Sequence, residues 1–377
     1  MKVVVSVDSF KGSLSSMQAG NAIKEGIEKC SNAEVVIYPL SDGGEGFVES
    51  YMSYREGVKR FVEVKDAMNR DISTSYMLQE NPQMAIMEMA SMCGIDRIDK
   101  AKKEVLYATT YGLGQMILDA LDQGCRSFVI GIGGSGSNDG GSGMLQALGY
   151  ELLDAQGKDI PLGAIGLSQL HHIQIEKADA RLKECEFKIA CDVKNPLVGI
   201  NGCSAIFGPQ KGADKDMVIE MDTWMKSYGY IVSQTIVGGD PHTQGSGAAG
   251  GLGFAFLSFL KADLISGIQL IMEKQHIRDS IENSDYVVTG EGCLDAQSVM
   301  GKAPTGIAKL AKMFHKPVIA FAGNVSSDAD LCNTQGIDAF FCIQSGPCTL
   351  EDAMCTDNAY RNLSKTAEQV FRLLQTK

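Results

Sequence analysis

The chain has 377 residues, of which 44% are hydrophobic and 21% are charged, and its formal net charge is −12. This is the composition of a globular protein, and the length exceeds what one ordinary hydrophobic core needs, so two domains are predicted. The negative charge, with no basic run to offset it, disfavours a surface that binds nucleic acid.

The first elements in the chain predict a βαβ unit. Residues 2–7 form a β-branched run that is typical of a buried parallel strand. Ser15 and Gln18 have the spacing of a capping box, and an amphipathic helix pattern follows them. A second strand is predicted at 34–38. The loops of such a unit open at the carboxyl edge of its sheet.

Short strands and helices alternate through the rest of the chain. Apolar runs between turn residues predict strands at 61–64, 73–78, 84–89, 127–130, 187–191, 286–289 and 318–322. Helical periodicity predicts helices at 110–123, 305–314 and 357–374. The predicted fold class is α/β with two domains. Residues 1–60 plus 255–377 would form a doubly wound, Rossmann- or flavodoxin-like domain, and 61–254 an inserted α/β domain with a mixed sheet.

Cysteine and targeting patterns both predict a cytoplasmic protein. The 11 cysteines contain no CxxC pair and no Cys/His cluster with zinc spacing, so free thiols in a reducing compartment are expected. The N-terminal strand pattern lacks the long apolar run and cleavage site of a signal peptide. No apolar stretch has the length needed to cross a bilayer.

Six loops join glycine or other small residues to one or two charged residues, and most of them follow a predicted strand. They lie at 8–13, 41–46, 131–141, 192–196, 208–212 and 289–295, the last continuing to Gly301 and Lys302. A tight turn explains any one of them better. Glycine backbone N–H groups can surround an anion, and nearby carboxylates suit a Mg²⁺ ion that bridges them to phosphate. Together with Lys11, Lys194, Lys211 and Lys302, the six loops favour phosphoryl transfer.

The motifs of better-known nucleotide-binding proteins are weak or missing in this chain. Gly131, Gly133 and Gly136 match GxGxxG, with Asp154 near the expected acidic position, and this pattern would indicate an NAD-dependent dehydrogenase. Asn138 and Asp139 stand where the first turn of the required helix should begin. No P-loop and no protein-kinase motif occurs. Two alternatives to phosphoryl transfer remain open. One is a dehydrogenase that uses Gly131–Gly136, and the other is a non-catalytic sensor that binds a sugar-acid phosphate.

Taken in order, the loops resemble those of the type I glycerate kinase family. The resemblance covers essentially the whole chain and is most specific at 8–13, 41–46, 133–141, 207–213, 247–253 and 289–292. Departures from the usual family pattern are Val7, Ser41, Lys194, Ile200, Asn201 and Cys293. The resemblance implies ATP-dependent phosphorylation of D-glycerate, with 2-phosphoglycerate favoured over 3-phosphoglycerate. It also implies two α/β domains with the site in the cleft between them.

The positions of residues at strand ends and in the six loops suggest roles for them as hypotheses. Asp192, at the end of a predicted buried strand, is expected to be the catalytic base, although an Asx-turn that caps Asn195 would also explain it. Lys11 is the second catalytic candidate. Expected substrate ligands are Asp8, Ser9, Lys11, Asp42, Glu45, Glu291 and Asp295. Expected nucleotide ligands are Gly133, Gly134, Ser135, Gly136, Asn138, Asp139 and Lys211.

The expected cofactors are ATP and Mg²⁺, with Asp42 and Glu45 as metal ligands and Glu291 and Asp295 as the second choice. The expected partners are the small molecules D-glycerate and ATP, without nucleic acid or a membrane. The sequence leaves a homodimer open.

Overall fold

The computed structural model describes residues 1–41, 43–53, 56–81, 83–267, 269–270, 277–295, 298 and 303–376. Two compact units make up the chain. The terminal unit comprises Met1–Asp42, Glu49–Tyr54 and Gly267–Lys377, and the central unit comprises Gly43–Val48 and Arg55–Ser266. The residue bounds predicted for two domains stay a prediction, because a compact unit is not by itself an independently folding domain.

The described strands are β1 Lys2–Val5, β2 Glu34–Ile37, β3 Val58–Lys65, β4 Asp71–Glu80, β5 Gln83–Glu88, β6 Ser127–Gly131, β7 Glu151–Leu153, β8 His172–Gln174, β9 Glu186–Ala190, β10 Asp263–Ile265, β11 Tyr286–Leu294, β12 Val318–Val325 and β13 Ala339–Cys342. The described α-helices are α1 Ser16–Glu28, α2 Phe47–Met52, α3 Ala90–Cys93, α4 Tyr111–Asp122, α5 Ser142–Ala147, α6 Ala164–Leu167, α7 Cys203–Phe207, α8 Lys215–Thr235, α9 Ala248–Leu260, α10 Ile277–Glu282, α11 Ala303–Met313, α12 Leu350–Met354 and α13 Thr356–Leu374. Short 3₁₀ turns connect several of them.

A parallel five-stranded sheet forms the centre of the terminal unit, in the order β13-β12-β11-β1-β2. β1 lies between β11 and β2, and it pairs Val3 with Tyr286 on one side and with Val35 on the other. Numbered within this unit, the order is 2-1-3-4-5, which is flavodoxin-like. Strands buried on both faces need continuous apolar runs, and Val3–Val5 are fully buried.

Helices cover both faces of this sheet, as expected of a doubly wound unit. α1 and α13 pack together over one face, where Ile23 and Phe371 are fully buried. α10 and α11 contribute Ile281 and Ile307 to the core on the other face. Ser15 closes the predicted capping box with Gln18 at the start of α1, which confirms that prediction.

The central unit is built on a mixed six-stranded sheet in the order β10-β9-β6-β5-β4-β3. The segment β3-β4-β5 is antiparallel, whereas β5, β6, β9 and β10 run parallel. The Met-rich strand β5 lies in the core, since Met87 is fully buried. The loops after β5, β6, β9 and β10 therefore open at one edge of the sheet.

The α/β fold class predicted from sequence is confirmed, with one large parallel sheet, one large mixed sheet and the small antiparallel pair β7-β8 among the described residues. Among the described helices, none combines the length and the apolar character that a membrane span requires. The cytoplasmic location stays a prediction.

Candidate active site

A pocket of about 620 Å³ lies within the terminal unit, at the carboxyl ends of its parallel strands. Its charged and polar lining includes Asp8, Ser9, Lys11, Glu291, Asp295, Asn324, Gln344 and Thr349. We call it the terminal-unit pocket. It brings together five of the seven predicted substrate ligands; of the other two, Glu45 belongs to the central unit and Asp42 lies outside the described residues.

Strand order explains why the pocket forms here. The chain leaves β1 towards β2 on one side, whereas β11 leads towards β12 and β13 on the other side. The loops that follow β1 and β11 therefore diverge and leave a crevice between them, which is where ligands bind in open α/β sheets. Asp8 and Lys11 follow β1, and Glu291 and Asp295 come from the end of β11.

Backbone contacts hold the loop after β1 in place. The backbone N–H of Asp8 donates to the carbonyl oxygen of Gly290 at 2.9 Å, which extends the pairing of β1 with β11. Asp8 is buried, and its Oδ1 accepts the N–H of Ser9 at 2.7 Å. Gly12 has a φ of +74°, a conformation that glycine adopts without strain, and the preceding residue Lys11 is exposed and lines the pocket.

Ser298 organises the two acidic residues at the end of β11, and sequence reasoning missed it. Its hydroxyl donates to Oε1 of buried Glu291 at 2.5 Å, and its N–H donates to Oδ1 of Asp295 at 3.1 Å. Thr305 in α11 donates in turn to the carbonyl oxygen of Ser298 at 2.9 Å. The two carboxylates are therefore fixed by one serine. Lys302, predicted to supply positive charge nearby, lies outside the described residues.

Sequence reasoning also missed the part of the pocket that comes from β12, β13 and α12. Asn324 lies near the end of β12, and Gln344 follows β13. Asn324 could have been predicted as a pocket residue. It is a polar residue just after the predicted buried strand at 318–322, which places it at the same edge of the sheet as Asp8. β13 is short and was not predicted at all.

In the central unit, glycines at the end of β6 allow two backbones to touch. The N–H of Gly133 donates to the carbonyl oxygen of Gly43 at 2.9 Å. A Cβ on Gly131 would lie 2.4 Å from that same oxygen, and one on Gly133 would lie 2.7 Å from the nitrogen of Gly44. These glycines are needed for close packing within the unit.

The phosphate-cradling role predicted for the 133–139 loop meets a structural objection. The N–H of Gly133 is used as described, and the N–H of Gly136 donates to Cys93 at 2.8 Å. Asn138 and Asp139 are fully buried. Asp139 accepts from the N–H and hydroxyl of Thr110 and from the N–H groups of Gly141 and Gly143. The hydrogen bonds of Asp139 and the burial of both side chains stabilise the loop from the interior of the unit. Contact of Asn138 and Asp139 with a nucleotide therefore stays a prediction.

Lys211 forms hydrogen bonds to the same loop from the interior of the central unit. It is 1% exposed, and its ammonium group donates to Oγ of Ser135 at 2.9 Å and to the carbonyl oxygen of Ser137 at 2.6 Å. Burial lowers the pKa of Lys211 to about 8. The side chain anchors the loop, whose surface part is the exposed Gly134.

The dinucleotide interpretation of Gly131–Gly136 does not fit this geometry. The pattern requires a helix that opens directly after the glycines, with its N-terminus facing the pyrophosphate. Here α5 begins only at Ser142.

Asp192 lies just after β9, at the same edge of the central sheet as the loop after β6. It is half-buried. In the same loop, the amide of Asn195 donates to the carbonyl oxygen of Asn201 at 2.9 Å.

Of the two predicted metal ligands, Asp42 and Glu45, only Glu45 is among the described residues. It is exposed and belongs to the central unit. Within the described ranges, no three His, Cys, Asp or Glu side chains form a group that could hold a metal ion. A Mg²⁺ ion that takes one or two carboxylates plus phosphate oxygens and water needs no such group.

Comparisons with known proteins agree over the full length of the chain. The profile of the glycerate kinase family matches residues 3–375. The "Glycerate 2-kinase" of Escherichia coli strain K12 is 39% identical over 375 residues, which is 99% of this chain and 98% of the relative. The "Glycerate kinase" of Haemophilus influenzae is 40% identical over 378 residues, with full coverage of both chains.

A crystal structure titled "putative glycerate kinase 2 from Salmonella typhimurium LT2" superposes with a TM-score of 0.83 at 40% identity, covering 100% of this chain and 98% of that one. The fold and these matches define a phosphotransferase of the α/β class. The chain belongs to the glycerate kinase family.

Proposed function

We propose that this chain transfers the terminal phosphoryl group of ATP to a hydroxyl group of D-glycerate, with help from Mg²⁺. Family membership supports the reaction class. The name of the Escherichia coli relative, "Glycerate 2-kinase", supports 2-phosphoglycerate rather than 3-phosphoglycerate as the product. The observation that carries the proposal is the terminal-unit pocket, where a lysine and three carboxylates line the point at which the strand order reverses.

Lys11 has the chemistry to recognise the acid substrate. The net charge of −12 repels anions, so a locally placed cation is needed to attract D-glycerate. Lys11 is exposed at the pocket, where its ammonium group can contact a carboxylate or the phosphoryl group in transit. Asp8, Ser9, Glu291 and Asp295 line the same pocket and can bond the glycerate hydroxyls.

Asp192 is our candidate for the base that accepts the proton of the attacking hydroxyl. A carboxylate after a buried parallel strand is held at the edge where α/β enzymes react.

Mg²⁺ would neutralise the charge on the phosphate oxygens. Asp42 and Glu45 remain the proposed ligands, with Glu291 and Asp295 as the second pair. In the 133–139 loop, the exposed Gly134 is the residue we propose for contact with phosphate, since the N–H groups of Gly133 and Gly136 and the hydroxyl of Ser135 have partners inside the unit.

A coupled assay of ADP release with D-glycerate tests the reaction, and NMR of the product distinguishes the 2-phosphate from the 3-phosphate. We expect ADP release that depends on D-glycerate and yields 2-phosphoglycerate. Chelation by EDTA should abolish turnover, and added Mg²⁺ should restore it. Absence of ADP release with D-glycerate would refute the proposal, whereas 3-phosphoglycerate as the product would refute only the position of transfer.

A further inference from the structure

The terminal-unit pocket is larger than the acid substrate requires. Its volume of about 620 Å³ falls within the roughly 300–1,000 Å³ of pockets that hold drug-sized ligands. D-glycerate is a three-carbon acid and would fill a small part of it. Binding of glycerate alone therefore leaves most of the pocket without a role.

The remaining part of the pocket has an apolar lining. Phe10, Ile343, Leu350 and Met354 all line it. Leu350 is 76% exposed and Met354 is 39% exposed. Exposed apolar side chains that rim a concave pocket are typical of a binding site for a ligand with an apolar surface. A small hydrophilic acid has no such surface.

The charged and apolar parts come from different strands. Asp8, Lys11 and Glu291 belong to the ends of β1 and β11. Ile343, Leu350 and Met354 belong to the chain after β13, which lies two places from β11 in the sheet. A ligand that fills the pocket would therefore have a charged end and an apolar end.

We infer that the apolar part of the terminal-unit pocket binds the nucleoside of the phosphoryl donor, with the phosphate chain directed towards Lys11. This rests on the proposed function, and it moves the nucleoside away from the 133–139 loop, where the predicted ligands have internal partners. A sheet of order 2-1-3-4-5 also holds a mononucleotide at its switch point in flavodoxin, which is an analogy of fold.

Two native cysteines provide a binding test that does not depend on turnover. Cys348 lines the pocket and is exposed, whereas Cys355 is exposed and is not among the residues that line it. Iodoacetamide alkylates either thiolate: a C–S bond forms as the C–I bond breaks, and iodide leaves. Fragment-ion mass spectrometry of the full-length enzyme separates the two sites.

We expect a non-hydrolysable ATP analogue, or adenosine, at about ten times its Kd to slow alkylation of Cys348 about tenfold. The rate at Cys355 should not change. Saturating D-glycerate should protect Cys348 far less. Protection by D-glycerate and none by either nucleotide ligand would overturn the inference, as would nucleotide binding in calorimetry without protection of Cys348.

Substitutions on the apolar side give a second measurement. Leu350→Ala and Met354→Ala should each weaken binding of the ATP analogue roughly 5- to 20-fold, because buried apolar contact is lost. The Kd of D-glycerate should stay unchanged. Matched controls are Leu373→Ala and Met313→Ala, which remove exposed side chains of the same types elsewhere in the terminal unit. Weaker glycerate binding with unchanged analogue binding would overturn the inference, whereas failure of ADP release in the unmodified enzyme would refute the proposed function itself.

Discussion

Asp192 follows the buried strand β9, and its carboxylate is the group that we expect to take a proton from the substrate hydroxyl. Asp192→Asn removes the basic oxygen but keeps a side chain that can still form an Asx-turn. We expect kcat to fall by roughly 10² to 10⁴, as measured by ADP release. Asp216→Asn, at an exposed position of the same unit, is the matched control. Near-normal kcat in a folded Asp192→Asn enzyme would leave the residue with a structural role only.

Lys211 makes stability depend on pH in a direction that can be measured. Its pKa is about 8 in the folded protein, below the ordinary 10.5, so between these values the unfolded chain binds more protons at this residue. Stability contributed through Lys211 therefore rises with pH over that window.

Lys211→Met fills similar space without a titrating group. The free energy of unfolding of the wild type minus that of Lys211→Met should increase by on the order of 1 to 3 kcal/mol between pH 7 and pH 10. Urea denaturation at both pH values measures it. Titration of cysteines and tyrosines is shared by both proteins and largely cancels. A difference that stays constant or falls with pH would show that burial does not lower this pKa.

Helix α9 begins with a distorted segment that packs against the 137–141 loop. Ala249, Gly250 and Gly251 have φ values of 51°, 66° and 89°. The carbonyl oxygen of Gly250 accepts the N–H of Gly140 at 2.9 Å, and a Cβ on Gly250 would lie 2.2 Å from the backbone oxygen of Ser137. Gly250, in the glycine-rich segment 247–253, is therefore needed for close contact with the backbone of the 137–141 loop.

Gly250→Ala should therefore cost more than an ordinary substitution at positive φ. We expect the free energy of unfolding to fall by about 3 to 5 kcal/mol, from backbone strain plus the clash. Gly157→Ala is the matched control, because Gly157 has a φ of 77° but open space around its Cβ position, and it should lose only about 1 to 2 kcal/mol. Equal losses in urea denaturation would show that the clash is relieved without cost.

Periodicity was enough to predict most strands and helices but not what lies between them. The strand at 187–191 and the helix at 110–123 appear as β9 and α4 with shifts of one residue. α8 was missed, although Asp214 caps it and methionines recur on its buried face, because polar residues interrupt the apolar pattern.

The grouping of candidate residues in the terminal-unit pocket was predictable where it depends on strand ends, whereas burial of residues by packing was not. Asp8, Glu291 and Asp295 share one pocket, as residues at the carboxyl ends of adjacent strands should. Burial of Asp139 and Lys211 could not be read from sequence, since charged residues are seldom fully buried. A loop that binds a ligand and a loop whose charged residues form internal hydrogen bonds have the same pattern of small and charged residues, so the sequence does not distinguish them.

All 11 cysteines of the chain are free thiols. Cys342, Cys348 and Cys355 are exposed, and the other cysteines are buried or half-buried. A thiol reagent such as DTNB should therefore titrate three groups rapidly in the native enzyme and all 11 after unfolding without reductant. Fewer than 11 in the unfolded chain would reveal a disulfide bond.

The parallel sheet of the terminal unit joins an early and a late segment of the chain, since Val3 pairs with Tyr286. On the ribosome, β1 and β2 leave the exit tunnel early, but β11 follows only after the whole central unit. At ~5–20 residues per second, that delay is on the order of tens of seconds. During this time the buried valines of β1 can pair with β2 but not with β11. Nascent chains stalled before β11 should therefore recruit chaperones that bind apolar segments. Release of the full-length chain should end that binding.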